Sequence, residues 1–362
     1  MKLLSLYSGA GGLDYGLTKA GFDVLWANDI NKDACQTYKS NIGDHIFHGD
    51  ISEIINDLSR FQDVDLVAGG PPCQGFSVAG KMNPDDPRSK EVWNFLKVVE
   101  ISKAKAFLME NVKALGTLDK WKPLRNELIK KFKSLGYNCG FVIVNASDFD
   151  VPQNRERVLF IGFKANVLEE VSSLDLDSML ANYKIKSPIL REVLQVLDRA
   201  GTGNNNSVCN AKITTTANPV LRKSPYAGMI FNGMGRPINL DGYSNTLPAS
   251  MGGNKTPIID DDNLYHNKLE WIKEYHNGIS QGTIIPQYGL APNRLRRLTI
   301  QEAALIQTFP IDYEWKGSQS SIFKQIGNAV PCNLALNIGK MIIDTLSNQN
   351  NLIVNNQLEI LI

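Results

Sequence analysis

The stretch Gly69-Gly70-Pro71-Pro72-Cys73-Gln74-Gly75-Phe76-Ser77 sets one cysteine among prolines and glycines. A cysteine held in such a loop, at the rim of a ligand site, is suited to act as a thiolate nucleophile. The commoner fate of a free cysteine is to be a small buried apolar residue, but the flanking prolines and glycines argue against a regular buried element. Cys35, Cys139, Cys209 and Cys332 lie in helical, strand or polar-loop patterns and take that blander reading. In Met109-Glu110-Asn111-Val112 a glutamate ends an apolar run. A low-polarity cleft there would raise its pKa and let it donate a proton or hydrogen bond near neutral pH; the alternative is an ordinary carboxylate in solvent. Gln153-Asn154-Arg155-Glu156-Arg157 puts two arginines on one face of a strand, as either a structural ion-pair ladder or a substrate clamp.

A second group of residues suits a ligand rather than a reaction. Tyr7-Ser8-Gly9-Ala10-Gly11-Gly12 is a glycine turn between an apolar run and a helical pattern. Such a turn lets backbone approach a ligand closely, and the helix start offers unpaired N–H groups to a carboxylate. Asp14 stands where a dinucleotide fingerprint needs its third glycine, and no Gly-Lys-Ser/Thr follows, so phosphate-bearing nucleotides lose ground. Asp29 is placed to reach ribose hydroxyls, and Asp50 to accept from an adenine amine. Either acid alone reads more readily as a helix cap or a solvated loop residue. With the Tyr7 ring they outline a pocket for an adenosine-bearing cofactor that lacks phosphates.

These residues fall just after apolar runs, as they must if a parallel sheet presents its ligand site at the C-terminal ends of its strands. The pattern predicts strands at Leu3–Tyr7, Val24–Asn28, Asp65–Gly69, Lys105–Glu110, Gly140–Asn145 and Arg157–Phe163, with a short one before Asp50. Helices are predicted at Gly12–Ala20, Lys32–Ser40, Glu91–Ser102 and Leu124–Leu135. From Gly201 to Asp260 the texture changes: nine Asn, eight Gly, five basic and two acidic residues, with no helical periodicity. That composition reads as loops and short irregular strands of a recognition surface. Thr299-Ile300-Gln301-Glu302 then carries a capping-box signature. A last helix is predicted over Asn333–Leu346, followed by a frayed Asn-rich tail.

The 362 residues carry 38 Lys+Arg against 37 Asp+Glu, with 43% hydrophobic content, which excludes a disordered or fibrous chain. About two domains are expected from the length. Five scattered cysteines without a C-x-x-C pair argue against a disulfide framework or zinc site and for a reducing cytosol. No apolar stretch approaches the roughly 20 residues of a membrane span, so a cytoplasmic protein is expected. The net charge of +1 argues for weak non-specific affinity for nucleic acid, yet it hides the basic excess of residues 201–260.

In combination, order and spacing, these motifs resemble the DNA cytosine-C5 methyltransferases. Tyr7–Gly12 is similar to the family's first motif, and Asp29 and Asp50 to its second and third. Gly70–Ser77 is similar to the Pro-Cys-Gln loop, Met109–Val112 to Glu-Asn-Val, and Gln153–Arg157 to Gln-x-Arg-x-Arg. Arg296-Arg297-Leu298-Thr299 through Pro310 resembles the ninth motif, and Gln325–Pro331 the tenth. The resemblance implies an α/β fold, a doubly wound, mostly parallel sheet of the S-adenosylmethionine-dependent type. Residues 1–185 and 316–362 would form the catalytic domain, and 186–315 a smaller target-recognition domain. It implies catalysis by Cys73, Glu110, Arg155 and Arg157, with no metal. S-adenosylmethionine would contact Tyr7, Ser8, Gly9, Gly11, Gly12, Leu13, Asp29, Ile30, Asp50, Ile51, Pro71, Asn328 and Ala329.

The partner implied is double-stranded DNA, bound by a monomer. Candidate contacts are Ser77, Lys81, Arg88, Arg222, Lys223, Arg236, Thr246, Leu247, Asn254, Arg296 and Arg297, with Asn232 beside them. The simplest context is pairing with a restriction endonuclease, and an orphan enzyme fits too. Glu91 stands where many relatives carry an apolar residue near the cofactor, which leaves its role open. An RNA cytosine methylase shares the chemistry, but the large recognition segment disfavours it. A non-catalytic relative would have lost Cys73 or Glu110, and a nicotinamide dehydrogenase would need the glycine that Asp14 replaces.

Overall fold

The computed structural model describes residues 1–72, 91–168 and 175–359, with side chains described up to residue 347. The strands are β1 (Lys2–Leu6), β2 (Asp23–Asp29), β3 (Ile46–His48), β4 (Leu66–Gly69), β5 (Ala106–Val112), β6 (Tyr137–Asn145), β7 (Gln153–Asn154) and β8 (Glu156–Lys164). They continue with β9 (Thr214–Val220), β10 (Met229–Phe231), β11 (Ser244–Asn245), β12 (Ile258–Asp260), β13 (Gly289–Leu290) and β14 (Leu295–Arg297). The helices are α1 (Gly12–Ala20), α2 (Lys32–Asn41), α3 (Ile51–Ile54), α4 (Glu91–Ser102), α5 (Lys113–Thr117), α6 (Lys122–Ser134) and α7 (Leu176–Ala181). Then come α8 (Leu190–Leu194), α9 (Asp261–His266), α10 (Trp271–Ser280), α11 (Ile300–Ile306), α12 (Gln319–Asn328) and α13 (Cys332–Glu359).

The described chain divides into two units. The first comprises 1–150, 155–186 and 330–362; the second, 151–154 and 187–329. The first is built on a seven-stranded sheet of order β3-β2-β1-β4-β5-β8-β6. The five strands from β3 to β5 run parallel, as expected, and their central members are apolar on both faces because helices cover both. β8 enters antiparallel between β5 and β6. This reversal has a direct consequence for the site: the N-terminal end of β8 lies beside the C-terminal end of β5, with Arg157 paired opposite Val112. The core under this sheet is aromatic, with Phe107 stacked on Phe132 at 3.9 Å and Phe95 and Tyr137 meeting Phe107 edge-on.

α1 starts at Gly11 and stops at Gly21, both in the left-handed region (φ 91 and 119), where glycine carries no Cβ penalty. Gly16 meets α13 so closely that a Cβ would strike Cys332 O and the Ala335 side chain. α13 runs to Glu359, longer than the predicted Asn333–Leu346. The Asn-rich end therefore continues the helical backbone rather than fraying, for it contains neither Gly nor Pro to stop it.

The second unit holds the antiparallel sheet β10-β9-β13, the pair β12-β14 and the short parallel pair β11-β7. Residues 316–329, expected with the catalytic segments, pack here. Gly327 abuts the Pro248–Ala249 backbone, and the buried Gln307 amide donates to Ile326 O at 2.7 Å. Residues 151–154 also belong to this unit, since β7 pairs with β11. No described helix is long and apolar enough to cross a membrane.

Candidate active site

Three strand ends of the first unit are tied together by one residue that the sequence did not single out. Asn28 is 2% exposed; its Oδ1 accepts from Tyr7 N at 3.2 Å and its Nδ2 donates to Gly49 O at 3.2 Å. The signal for it was a polar residue inside an apolar strand, which when buried must find partners. Ser8 N donates to Asn28 O at 2.8 Å. Gly9, with φ 56, donates its N–H to Asp29 Oδ2 at 2.8 Å, and Asp29 Oδ1 accepts from Asn31 N at 2.7 Å. Asp29 thus braces the glycine turn. Asp50 caps α3, its Oδ1 accepting from Ser52 N and Oγ at 2.8 Å, so the helix-cap alternative is realised.

Around this turn Tyr7 is half-buried, Leu13 and Ile51 are buried, and Ile30 is 70% exposed. An apolar side chain left this open beside Asp29 has no internal partner to bury it. Gly11, as N-cap of the nine-residue α1, supplies no side-chain cap, and Gly12 begins the helix. The first-turn N–H groups are therefore available to an acceptor from outside the helix. Asp14 is fully buried beneath, accepting from Ser5 Oγ. Burial pushes its carboxyl up to about 6, against the hydrogen bonds from Ser5, Tyr38 and Ser8 that lower it. Tyr7, Gly9, Asp29, Ile30 and the uncapped helix start together fit an adenosine with a carboxylate-bearing tail.

Farther along the same strand edge, Glu110 lies two residues before the end of β5. Its carboxylate pairs with Arg157 Nε at 2.7 Å, both side chains 12% exposed. The low-polarity surround expected for Glu110 is thus replaced by a cationic partner, because the antiparallel β8 brings Arg157 alongside. Gly70 lies so close that a Cβ there would sit 3.2 Å from Glu110 Oε2. Asn111 Nδ2 donates to Pro71 O at 3.2 Å, which joins the end of β5 to the residues leading toward Cys73. Arg155 is 2% exposed; its N–H donates to Asn145 Oδ1 at 2.9 Å and its carbonyl accepts from Ala146 N at 3.0 Å. Cys73, Ser77, Lys81 and Arg88 lie outside the described residues. The other cysteines are buried, with thiols pushed up by burial to about 12 for Cys35 and about 11 for Cys139, and upward for Cys332. A thiol so shifted is a poor nucleophile.

In the second unit the sequence-derived DNA contacts separate into two sets. Arg222, Lys223, Thr246 and Asn254 are exposed and Arg236 half-exposed, with Asn232 exposed beside them. Thr246 Oγ1 donates to Asn154 O at 3.0 Å. Leu247 is 1% exposed and belongs to the interior, a correction: its N–H donates to Oε1 of the buried Gln153 at 3.4 Å. Arg296 and Arg297 are also corrected. Arg296 makes paired bonds to Glu302 (2.8 and 2.6 Å) and a third to Asp261 at 2.8 Å. Arg297 donates to Ala211 O, Thr256 O and Lys212 O. Guanidinium groups removed from water need this internal satisfaction.

The Thr299–Glu302 capping box is present as predicted. Its unforeseen partner is Asn205, fully buried, which accepts from Thr299 Oγ1 at 2.6 Å. One residue of the Asn-rich segment is therefore interior. Asn328 is exposed and Ala329 half-buried at the end of α12. Among the described residues no cluster of His, Cys, Asp and Glu is arranged to hold a metal.

A mostly parallel sheet with a glycine turn and paired acid and arginine at its strand ends is a methyltransferase fold. The Dnmt2 methyltransferase of S. pombe is similar at 20% identity with a TM-score of 0.66, over 96% of this chain and 99% of that one. The Entamoeba histolytica methyltransferase EhMeth is similar at 16% identity and TM-score 0.66, over 96% and 98%. The chain belongs to the C-5 cytosine-specific DNA methylase family, whose model matches residues 1–344. It is similar to the Type II methyltransferase M.FnuDI of Fusobacterium nucleatum, 32% identical over 96% of each chain. It is likewise similar to M.PspPI of Psychrobacter sp. (strain TA137), 34% identical over 95% of this chain and 79% of that one. The protein is accordingly a DNA (cytosine-5-)-methyltransferase.

Proposed function

We propose that the chain methylates carbon 5 of a cytosine within a short specific site in duplex DNA, using S-adenosylmethionine, and does so to protect DNA in a restriction–modification pair. The observation that carries this reading is the meeting of Glu110, Arg157, Gly70 and Pro71 at one strand edge, on the residues that lead into Cys73. Protection is supported by the relatives, which bear the name Type II methyltransferase.

Carbons 5 and 6 of a stacked cytosine are out of reach, so the base must leave the duplex. The Cys73 thiolate then gives its electron pair to carbon 6, and the ring's double bond shifts toward carbon 5. Glu110, held by Arg157, binds the ring at nitrogen 3 and favours the electron-rich form; Arg157 contacts the extruded nucleotide, whereas the Arg155 side chain, expected beside it, is buried. S-adenosylmethionine, when bound, supplies an electrophilic methyl group at carbon 5. Loss of the carbon 5 proton to a base returns the electron pair to the ring and expels the Cys73 thiolate. Tyr7 offers its ring to the adenine, Ile30 and Ile51 an apolar surround, Asp29 an acceptor for the ribose, and Asp50 one for the adenine amine. The start of α1, from Ser8 through Leu13, with Asn328 and Ala329, receives the methionine part. Arg222, Lys223, Arg236, Thr246, Asn232 and Asn254 supply the DNA-reading set.

Mapping cytosine methylation in DNA from cells expressing the chain, alongside methyl transfer to duplex DNA and to tRNA in vitro, tests the reading. Methylation at carbon 5 within one short duplex motif is expected. Activity confined to tRNA, or none with either, overturns it.

A further inference from the structure

Glu91, which the family resemblance left without a role, opens α4 and is half-buried. Its carboxylate Oε2 accepts from the Tyr7 phenol at 2.8 Å and from Asn94 Nδ2 at 3.1 Å, while its main-chain oxygen lies 3.1 Å from the same phenol. Tyr7 itself is unusual. It adopts φ 56, a left-handed conformation that costs a non-glycine residue roughly 1–3 kcal/mol and persists only where the surroundings over-determine it. Two ties do so at opposite ends of the residue: Asn28 Oδ1 takes the backbone N–H, and Glu91 takes the phenol. Burial first, then the Glu91 carboxylate, drives the phenol's pKa upward, so it donates as a neutral hydroxyl.

A carboxylate at this place has a cost. Asp50 is near enough to act on the same phenol, and Asp29 ends the neighbouring strand β2, so the edge already carries acid. An apolar residue at 91 would remove that repulsion, but it would leave Tyr7 with the main-chain oxygen alone. What the acid adds is a short, directed bond that sets where the aromatic plane points, and a charged acceptor makes such a bond stronger than a neutral one.

We propose that Glu91 is a positioning residue of the cofactor pocket: by gripping the Tyr7 phenol it fixes the ring against which the adenine of S-adenosylmethionine stacks. Glu91 acts on the cofactor through Tyr7 and not by contact. The proposal rests on reading the β1–α1 turn as the cofactor site.

The test measures the dissociation constant of S-adenosylhomocysteine by calorimetry for the full chain and for Tyr7→Phe, Glu91→Leu, Glu91→Gln and the Tyr7→Phe/Glu91→Leu double variant. The cofactor KM and kcat on duplex DNA, and the melting temperature, accompany it. Tyr7→Phe and Glu91→Leu should each weaken binding about fivefold to tenfold, and the double variant no more than the worse single one, because both break one bond. Glu91→Gln keeps an acceptor for the phenol and should recover most of the loss. The defect should fall on the cofactor KM rather than on kcat, as expected for lost binding that ground and transition states share. Unaltered affinity in Glu91→Leu, additive losses in the double variant, or equal damage from Gln and Leu with a matching fall in melting temperature and kcat would each overturn the proposal. Failure of the wild-type chain to bind S-adenosylhomocysteine would overturn the methyltransferase site itself, and the proposal with it.

Discussion

At the C-terminal edge of the seven-stranded sheet, acids and arginines hold one another yet stay partly open: Glu110 and Arg157 are each 12% exposed. In the second unit the arginine is no less open, Arg296 being 17% exposed, but its acid Glu302 is fully buried; Arg297 is 2% exposed, with backbone carbonyls as its acceptors. Both regions carry two closely spaced arginines, Arg155 just before β8 and Arg157 within it, Arg296 and Arg297 on β14. The difference lies in what each strand end meets. β8 begins at a sheet edge where β5 and β6 stop, whereas β14 pairs with β12 and leads straight into the capped helix α11. A carboxylate that stays partly open at a sheet edge can be reached by a ligand; one fully buried at a helix start, as Glu302 is, can only hold the fold.

Variants in the two regions should separate accordingly. The largest effect is expected at the nucleophile. Cys73→Ser should reduce methyl transfer to background and abolish the covalent adduct with fluorocytosine DNA, assayed by denaturing gel; full activity in that variant would sink the mechanism. Glu110→Gln should slow methylation about 10²-fold while duplex affinity in a gel-shift assay holds within threefold. In the second unit Arg296→Leu should leave Glu302 buried and uncompensated, lowering stability by about 3–5 kcal/mol in denaturant titration; a change below about 1 kcal/mol would erase the contrast with the sheet edge.

Asp14 sharpens the comparison through pH. Its folded pKa is raised from 3.8 to about 6, so between those values the native state binds more protons than the unfolded one. Stability held below pH 4 is then lost as pH rises through 6, by up to about 3 kcal/mol at this shift. Asp14→Asn should flatten that slope, as read from denaturant midpoints at pH 4, 5, 6 and 7. The smallest effects belong to Arg222 and Lys223, both exposed. Replacing either with Ala should lower the salt slope of non-specific DNA binding by about 1 and shift stability by no more than about 0.5 kcal/mol.

Much of the first unit was legible because its signals are local. α1 and α4 fall on the predicted Gly12–Ala20 and Glu91–Ser102, since left-handed glycines bound the first and an unbroken apolar periodicity runs through the second. The sheet strands shift by a few residues at their ends, where pairing with neighbours rather than composition sets the limit. The cysteine loop, the glycine turn, Glu110 and the two arginines could be singled out because each is a short run of residues whose chemistry needs those types in that order. The Thr299–Glu302 capping box was legible for the same reason.

Other features depend on partners far away in sequence and could not be read from it. The antiparallel entry of β8, which sets Arg157 beside Glu110, reverses a strand whose composition is the same in either direction. Asn28 and Asn205 look like ordinary loop or strand-end residues until burial obliges their amides to bond, Asn28 across strand ends and Asn205 at the start of α11. Arg296 and Arg297 have the composition of a DNA contact, and Leu247 sits in a recognition motif; only packing turned them inward. Short-range order therefore determined the family, most of the elements and the candidate site residues. Tertiary structure decided which charges remain open to a ligand, because desolvation and pairing depend on the groups that surround a side chain in space and not on those beside it in the chain.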